Sequence, residues 1–284
     1  IDNFDNYYSV KLKKKRVGIL KKNKNFFFNK IDINSNKIIN YCKNKKFDIV
    51  FHFAAQAGVR YSLVNPQKYI NTNIYGFVRL MNSLNRSKLK KIIYASSSSV
   101  YGDTKIFPTK ENSPLKPKNI YGYSKLINEN LANFYFKKFN IPFIGLRFFT
   151  IYGVWGRPDM LILKILKTND ENKYFKLNNS GNHYRDFTSI NDVIDISNKL
   201  MLSKKINKNL ILNICSSKPI FIKSLIKKIK FLKNDIRIKN IKKNIADVYK
   251  THGSNVLLEK NLNYKINRNF DEELEKLVKW FDDI

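Results

Sequence analysis

Tyr121 and Lys125 stand four residues apart, and about two dozen residues upstream lies the run Ser96-Ser97-Ser98-Ser99. On a helix, residues i and i+4 share a face, so the Lys125 ammonium can sit beside the Tyr121 phenol and favour its ionised form. Free tyrosine has a pKa of about 10, and bringing it near 7 requires roughly 4 kcal/mol of preferential phenolate stabilisation. A serine hydroxyl from a neighbouring strand would complete a Ser-Tyr-Lys proton relay with the phenolate as base. The same serines also suit an ordinary polar strand end, so the elements that carry them decide between the two.

Short β-rich apolar runs alternate with longer helical patterns, the signature of βαβ units around a parallel sheet. The pattern predicts strands over 26–33, 47–54, 91–97, 142–149 and 210–214. Helices are predicted over 35–45, capped by Asn34 or Ser35, and over 74–84, 121–139, 192–202, 222–232 and 270–281. The near-continuous apolar character of the strands fits burial on both faces. Beyond Gly153 the pattern is less regular, with Asn/Gly/Lys loops, and no internal repeat is present.

With 284 residues, 43% of them hydrophobic, the chain can bury one large core or two unequal ones. No apolar run approaches the ~20 residues that span a bilayer, and Ile1-Asp2-Asn3-Phe4 has neither a basic nor an apolar leader region. These features predict a cytoplasmic protein without a membrane anchor. Cys42 and Cys215 are too few for a disulfide framework, and His52, His183 and His252 make no metal-ligand cluster. The formal charge of +32 invites nucleic-acid binding. Its lysines are strewn throughout, however, with abundant Asn, Ile, Phe and Tyr, as AT-rich coding produces, and no specific nucleic-acid partner is expected. Arginine is scarcer, and Arg60, Arg147, Arg157 and Arg185 fall in motif-like segments. A planar bidentate donor suits phosphate or carboxylate, although a structural salt bridge would use the same residue.

A dinucleotide-binding sheet opens with a strand, a glycine-rich turn and a helix whose N-terminus holds the pyrophosphate. No such turn occurs here; the chain opens at Ile1-Asp2-Asn3, which looks like the end of a second strand, where a carboxylate bonds the adenine ribose. The expectation is a chain about thirty residues short of its first βα unit, with Asp2 as an ordinary loop acid the alternative.

Three long segments carry a family resemblance. Phe53-Ala54-Ala55-Gln56-Ala57-Gly58-Val59-Arg60-Tyr61-Ser62 resembles the fourth-strand segment and following loop of UDP-glucuronate 4-epimerases, within the extended short-chain dehydrogenase/reductase superfamily. Arg147-Phe148-Phe149-Thr150-Ile151-Tyr152-Gly153, followed by Trp155-Gly156-Arg157-Pro158-Asp159-Met160, is similar to a second signature, and Tyr184-Arg185-Asp186-Phe187 to a third. The resemblance implies an α/β fold: a Rossmann-like parallel sheet lacking its first βα unit, with a smaller C-terminal substrate-binding lobe. Residues 1–153 would form the NAD-binding domain with help from 184–216, and 154–183 with 217–284 the substrate lobe.

Residue by residue, the resemblance makes Tyr121 the base, Lys125 its electrostatic partner at the nicotinamide ribose, and Ser97 the hydroxyl on the substrate O4. Asp2, Asn3, Asp32 and Ile33 would lie by the adenosine end of NAD, and Phe53, Ala54, Ala55, Gln56, Asn73 and Phe148 along the cofactor. Ser98, Ser99 and Thr150 would meet the sugar and its carboxylate, with Arg60, Arg157 and Arg185 serving the substrate, the last two at its diphosphate or sugar end. The implied reaction is NAD-dependent 4-epimerisation of UDP-glucuronate to UDP-galacturonate through a 4-keto sugar, by a homodimer. A UDP-glucose epimerase and a 4,6-dehydratase are alternatives, although the latter needs an acidic pair after the catalytic hydroxyl, where Ser98-Ser99 stands. A non-catalytic homologue is a further alternative. Asn73 could instead be a helix-surface amide and Arg157 a surface loop charge. Ala246-Asp247-Val248 stands where relatives carry Gly-Asp-Val, which puts the uridine end in question.

Overall fold

The computed structural model describes residues 1–234, 236–245 and 247–283, so Ala246 of the Ala-Asp-Val segment lies outside the described residues. In chain order, α1 (Val10–Leu20) and α2 (Asn36–Lys43) precede β1 (Ile49–His52). A broken helix follows: α3 (Tyr61–Val64), α4 (Pro66–Tyr69), a π-helical turn over Ile70–Tyr75, and α5 (Gly76–Ser83). Then come β2 (Lys91–Ser97), α6 (Ile120–Phe139), β3 (Phe143–Phe148) and β4 (Thr150–Tyr152). The remainder is α7 (Leu161–Asp170), β5 (Phe175–Asn178), β6 (Tyr184–Ser189), α8 (Ile190–Leu202), β7 (Leu210–Ile214), β8 (Pro219–Phe221), α9 (Ile222–Leu232), β9 (Ile238–Ile241), α10 (Val256–Leu262) and α11 (Phe270–Asp282).

The main sheet is parallel with order β1-β2-β3-β7. Its centre is apolar on both faces: Ile92, Ile93, Ile144, Leu146 and Leu212 are fully buried, each worth roughly 1.5–3 kcal/mol of burial. One face packs on α2, α5 and α6 through Ile38, Phe77, Leu80 and Ala132, and the other on α8 and α10 through Val193, Ile196, Leu200 and Leu258. A separate core joins α7, α9 and α11 through Ile165, Leu225 and Leu277. It underlies two smaller sheets, β4-β6-β8 and β5-β9.

Three expectations change. The segment 26–33 is not a strand: its pairing with another segment is the isolated bridge between Lys30 and Asp2, and a strand exists only through a ladder of neighbours. The predicted strand 47–54 narrows to β1, and the helix predicted from Ile74 begins upstream at Pro66, where Asn65 accepts a hydrogen bond from the Lys68 N–H. The helices α1, α7 and α10 lie outside the predicted ones. In α1 the sequence Val10-Lys11-Leu12-Lys13-Lys14-Lys15-Arg16 presents no apolar stripe, and tertiary contacts of Lys13 and Arg16 replace it. Among the described residues no helix is long and apolar enough to cross a membrane.

Candidate active site

The C-terminal ends of β1, β2 and β3 open into a cleft of about 1040 Å³ whose opposite wall is the segment 150–161 with residues from β5 and β6. Ligand crevices form at this edge of an open α/β sheet because the strand ends and loops there diverge. Ser97 ends β2, in register with Phe148 of β3, and its hydroxyl accepts from Ser99 N–H at 3.1 Å. Tyr121 lies in the first turn of α6, which Asn119 caps by accepting from Gly122 N–H at 2.9 Å. A Cβ at Gly122 would come within 2.7 Å of the Ser99 carbonyl oxygen. That glycine lets the helix start press onto the serine turn, so that Tyr121 and Ser97 line one cleft and the Ser97 side chain favours the phenolate.

The electrostatics differ from the spacing argument. Lys125 is buried and donates to the Ala95 carbonyl at 2.8 Å, and its ammonium stands 5.9 Å from the Tyr121 ring centre. Burial draws the Lys125 pKa down to about 8. The Tyr121 phenol sits above its ordinary value because burial outweighs the Ser97 hydrogen bond and the nearby Arg157 guanidinium, both of which favour the phenolate. The lysine alone therefore does not make Tyr121 a base near neutrality. A further positive charge at the site is needed.

Asp2, Asn3, Ile33, Phe53, Ala54, Ala55, Gln56 and Phe148 line the cleft with Lys125. Asp32 and Asn73 do not line it. Asp32 accepts from Asn3 Nδ2 at 2.7 Å and from Asn34 N–H. Asn73 is buried on the π-helical turn, where its Oδ1 accepts from Gln56 N–H at 2.7 Å and its Nδ2 donates to Gln56 O at 3.0 Å and Ser124 Oγ at 2.9 Å. It braces the backbone that forms the wall.

Ser98, Ser99, Thr150, Arg60, Arg157 and Arg185 line the same cleft. Arg60 pairs with Asp247, its NH2 at 2.6 Å, and Asp247 also accepts from Asn178 at 2.7 Å. Arg157 forms a fork with Asp159 at 3.0 and 2.8 Å. Among the described residues Arg185 donates to the carbonyls of Tyr184 and Tyr249, and burial lowers its pKa to about 10. A half-buried guanidinium bonded to carbonyls keeps donors for an anionic group. Sequence reasoning missed Tyr7, Lys13 and Arg16, which also line the cleft. The available signal was Ser9, which caps α1 by accepting from Leu12 N–H. Among the described residues no cluster of three or more His, Cys, Asp or Glu side chains could hold a metal.

The profile of the NAD dependent epimerase/dehydratase family matches residues 5–215. The chain belongs to that family. An uncharacterized protein of Methanocaldococcus jannaschii is 39% identical over 284 residues, covering 99% of this chain and 86% of that one. UDP-glucuronate 4-epimerase 5 of Arabidopsis thaliana is 34% identical over 305 residues, 99% of this chain and 69% of its own. The crystal structure of UDP-glucuronic acid 4-epimerase from Bacillus cereus, in complex with UDP-glucuronic acid and NAD, matches with a TM-score of 0.93 at 28% identity, over 99% of this chain and 90% of that chain.

The family's cofactor fits the residues on the strand side. Phe53 holds a ring 43% exposed at the cleft wall, edge-on to Phe148 at 5.8 Å, where a flat heteroaromatic group can cover it. Next to it the Lys125 ammonium donates to the Ala95 carbonyl and has further N–H groups for ribose hydroxyls.

Proposed function

We propose that this chain is an NAD-dependent nucleotide-sugar 4-epimerase whose substrate is UDP-glucuronate and whose product is UDP-galacturonate. The observation that supports the reading is that one cleft is lined by Ser97, Tyr121 and Lys125 together with Ser98, Ser99, Thr150 and Arg185. Similarity to the Bacillus cereus enzyme supports the choice of sugar.

When bound, NAD supplies the hydride acceptor and donor at the sugar C4, and its positive charge in the oxidised form adds the cation that the phenol lacks. Tyr121 Oη takes the proton of the C4 hydroxyl and later returns it, with Ser97 sharing the hydrogen bond to O4. Lys125 holds the ribose and keeps positive charge under the phenol. Phe53, Ala54, Ala55, Gln56 and Phe148 shape the nicotinamide end, Asn73 from behind, and Asp2, Asn3 and Ile33 the adenosine end, with Asp32 holding Asn3 from outside the cleft. Ser98, Ser99 and Thr150 offer hydroxyl donors to the C6 carboxylate, and Arg60, Arg157 and Arg185 the charges for the rest of the nucleotide sugar. The sheet with its helices would be the NAD-binding domain and the 154–183 and 217–284 segments the substrate lobe.

We place the protein in the cytoplasm as a homodimer. Cys42 and Cys215 are free and buried, which suits a reducing compartment. Tyr123, Ile127 and Phe134 expose an apolar stripe on α6 suited to a second copy.

The test follows UDP-glucuronate with NAD by NMR. The expected product is UDP-galacturonate, and Tyr121→Phe lowers turnover by orders of magnitude while NAD binding persists. A 4-keto-6-deoxy product, or full activity in the variant, overturns the reading.

A further inference from the structure

We infer that Tyr7 and Asp159 are positioning residues: together they hold the Arg157 guanidinium on the Tyr121 side of the cleft, giving the base a second protein cation besides Lys125. The inference rests on Tyr121 being the base of the proposed reaction.

Tyr7 belongs to the segment before α1 and Asp159 to the loop after β4, 152 residues further along. The Tyr7 phenol donates to Asp159 Oδ2 at 3.1 Å, and Asp159 takes Arg157 Nε at 3.0 Å and its NH2 at 2.8 Å. An arginine paired with a neighbour two residues away on a loop would by itself be worth little. What distinguishes this one is the third member and the way it is seated. Gly58 has φ +99°, and a Cβ there would overlap the Tyr7 hydroxyl. A residue free of a side chain, in a conformation that L side chains rarely adopt, thus leaves the niche that the phenol fills. Tyr69 pins the same loop by donating to the carbonyls of Ala57 and Gly58 at 2.7 and 2.5 Å. Tyr7 also meets Tyr61 with ring centres 5.1 Å apart, Tyr61 meets Tyr69 at 6.3 Å, and Tyr69 meets Tyr121 at 6.1 Å. Arg16 anchors the loop a second time by donating to the Gly156 carbonyl at 2.8 Å.

Lys125 from its own helix and Tyr69 from α4 lie against the Tyr121 ring, and Ser97 from β2 and Arg157 from the loop line the same cleft as Tyr121. Ser97 and Arg157 pull the phenol toward ionisation, while burial opposes them. The coupling is reciprocal, since Tyr121 is among the groups that raise Arg157. Burial, reinforced by Asp159, pushes the Tyr7 phenol up to about 12, so it remains a hydrogen donor throughout the working range. Moving Arg157 away raises the Tyr121 pKa, and a smaller fraction of enzyme then carries the phenolate at a given pH.

The experiment compares the full chain with Tyr7→Phe, Arg157→Gln and the double variant, none of which adds a charge. Two readouts are taken. One is the acid limb of the pH–rate profile for UDP-glucuronate with NAD. The other is the titration of Tyr121 by carbon NMR of ring-labelled tyrosine, its signal assigned by loss in Tyr121→Phe. Tyr7→Phe is expected to move both midpoints upward by about 0.5–1 pH unit, a three- to tenfold loss of rate below the limb. Arg157→Gln moves them at least as far, and the double variant no further. An unmoved Tyr121 midpoint in Tyr7→Phe, or additive shifts in the double variant, overturns the inference. If the parent chain fails to turn over UDP-glucuronate, the proposed function falls by itself, and the NMR titration still decides the positioning roles.

Discussion

Lys125 donates to the main-chain carbonyl of Ala95 and not to the phenol of Tyr121. The sheet therefore fixes the lysine in place, and the tyrosine feels it only through space. Charge held this way is oriented without being neutralised, which makes it useful to a developing phenolate and unfavourable for folding.

The unfavourable part is measurable. Burial lowers the Lys125 pKa from 10.5 to about 8, so below pH 8 the folded and unfolded chains both carry the proton and burial of the charge is felt in full. Between about 8 and 10.5 the unfolded state binds more protons, and stability rises with pH. The total is roughly 3 kcal/mol. Lys125→Met is expected to be more stable than the parent at pH 7 by about 1–3 kcal/mol, to lose this rise, and to lose turnover. Urea unfolding of both proteins from pH 7 to 10 checks it; parallel curves would refute the burial account.

Asn73 makes a prediction of a different kind, because it never reaches the cleft. Asn73→Ala leaves the Gln56 N–H and C=O without their buried partners, at about 1–3 kcal/mol. NAD affinity should fall about tenfold as the wall loosens, with little change in the chemical step. Calorimetric titration with NAD gives the answer, and undiminished affinity would show that the brace is dispensable.

Arg147 and Glu129 form a buried bidentate pair at 2.8 and 2.7 Å behind the serine strand, and Ser96 also donates to Glu129. Arg147→Met strands a carboxylate in the core and should cost about 3–5 kcal/mol, whereas the double change Arg147→Met/Glu129→Leu recovers most of it. Denaturant midpoints decide; equal losses in the two variants would mean that packing, not charge, is responsible.

Thr150 tests the choice of sugar. A C6 carboxylate accepts charged hydrogen bonds worth about 1.5–3 kcal/mol each, and Thr150→Val keeps the shape while removing the donor. Turnover of UDP-glucuronate should drop tenfold or more while any UDP-glucose activity is little changed. Equal losses on both sugars would remove the carboxylate from the argument.

The central strands were legible because β2, β3 and β7 are apolar on both faces, and α6 because its spacing and its asparagine cap agree. The segment 26–33 misled because a run of three phenylalanines has strand character wherever it lies, and pairing is a property of its neighbours. Helix α1 was invisible for the converse reason: its lysines carry no periodic stripe, and what holds it is Lys13 on the Asp5 carbonyl and Arg16 on Gly156. In the site, spacing offered Tyr121, Lys125 and a serine of the run 96–99, and the family resemblance singled out Ser97; all three line the cleft. The sign of the tyrosine shift could not be read from spacing, since it depends on how far burial outweighs a lysine whose distance no sequence gives. Tyr7 was out of reach because its partner lies in another part of the chain.

One joint in the backbone bears on how a single carbon can be approached from two sides. Phe148 ends a strand of the main sheet and Thr150 begins a strand of the second, with Phe149 alone between them. Phe149 is itself buried, and its N–H donates to the Ile214 carbonyl at 3.1 Å. A joint of one pinned residue has no slack for swinging one wall of the cleft against the other. Under the proposed reaction the protein is then a stationary frame, and turning the keto sugar over between two hydride transfers falls to the substrate, pivoting about its own diphosphate linkage.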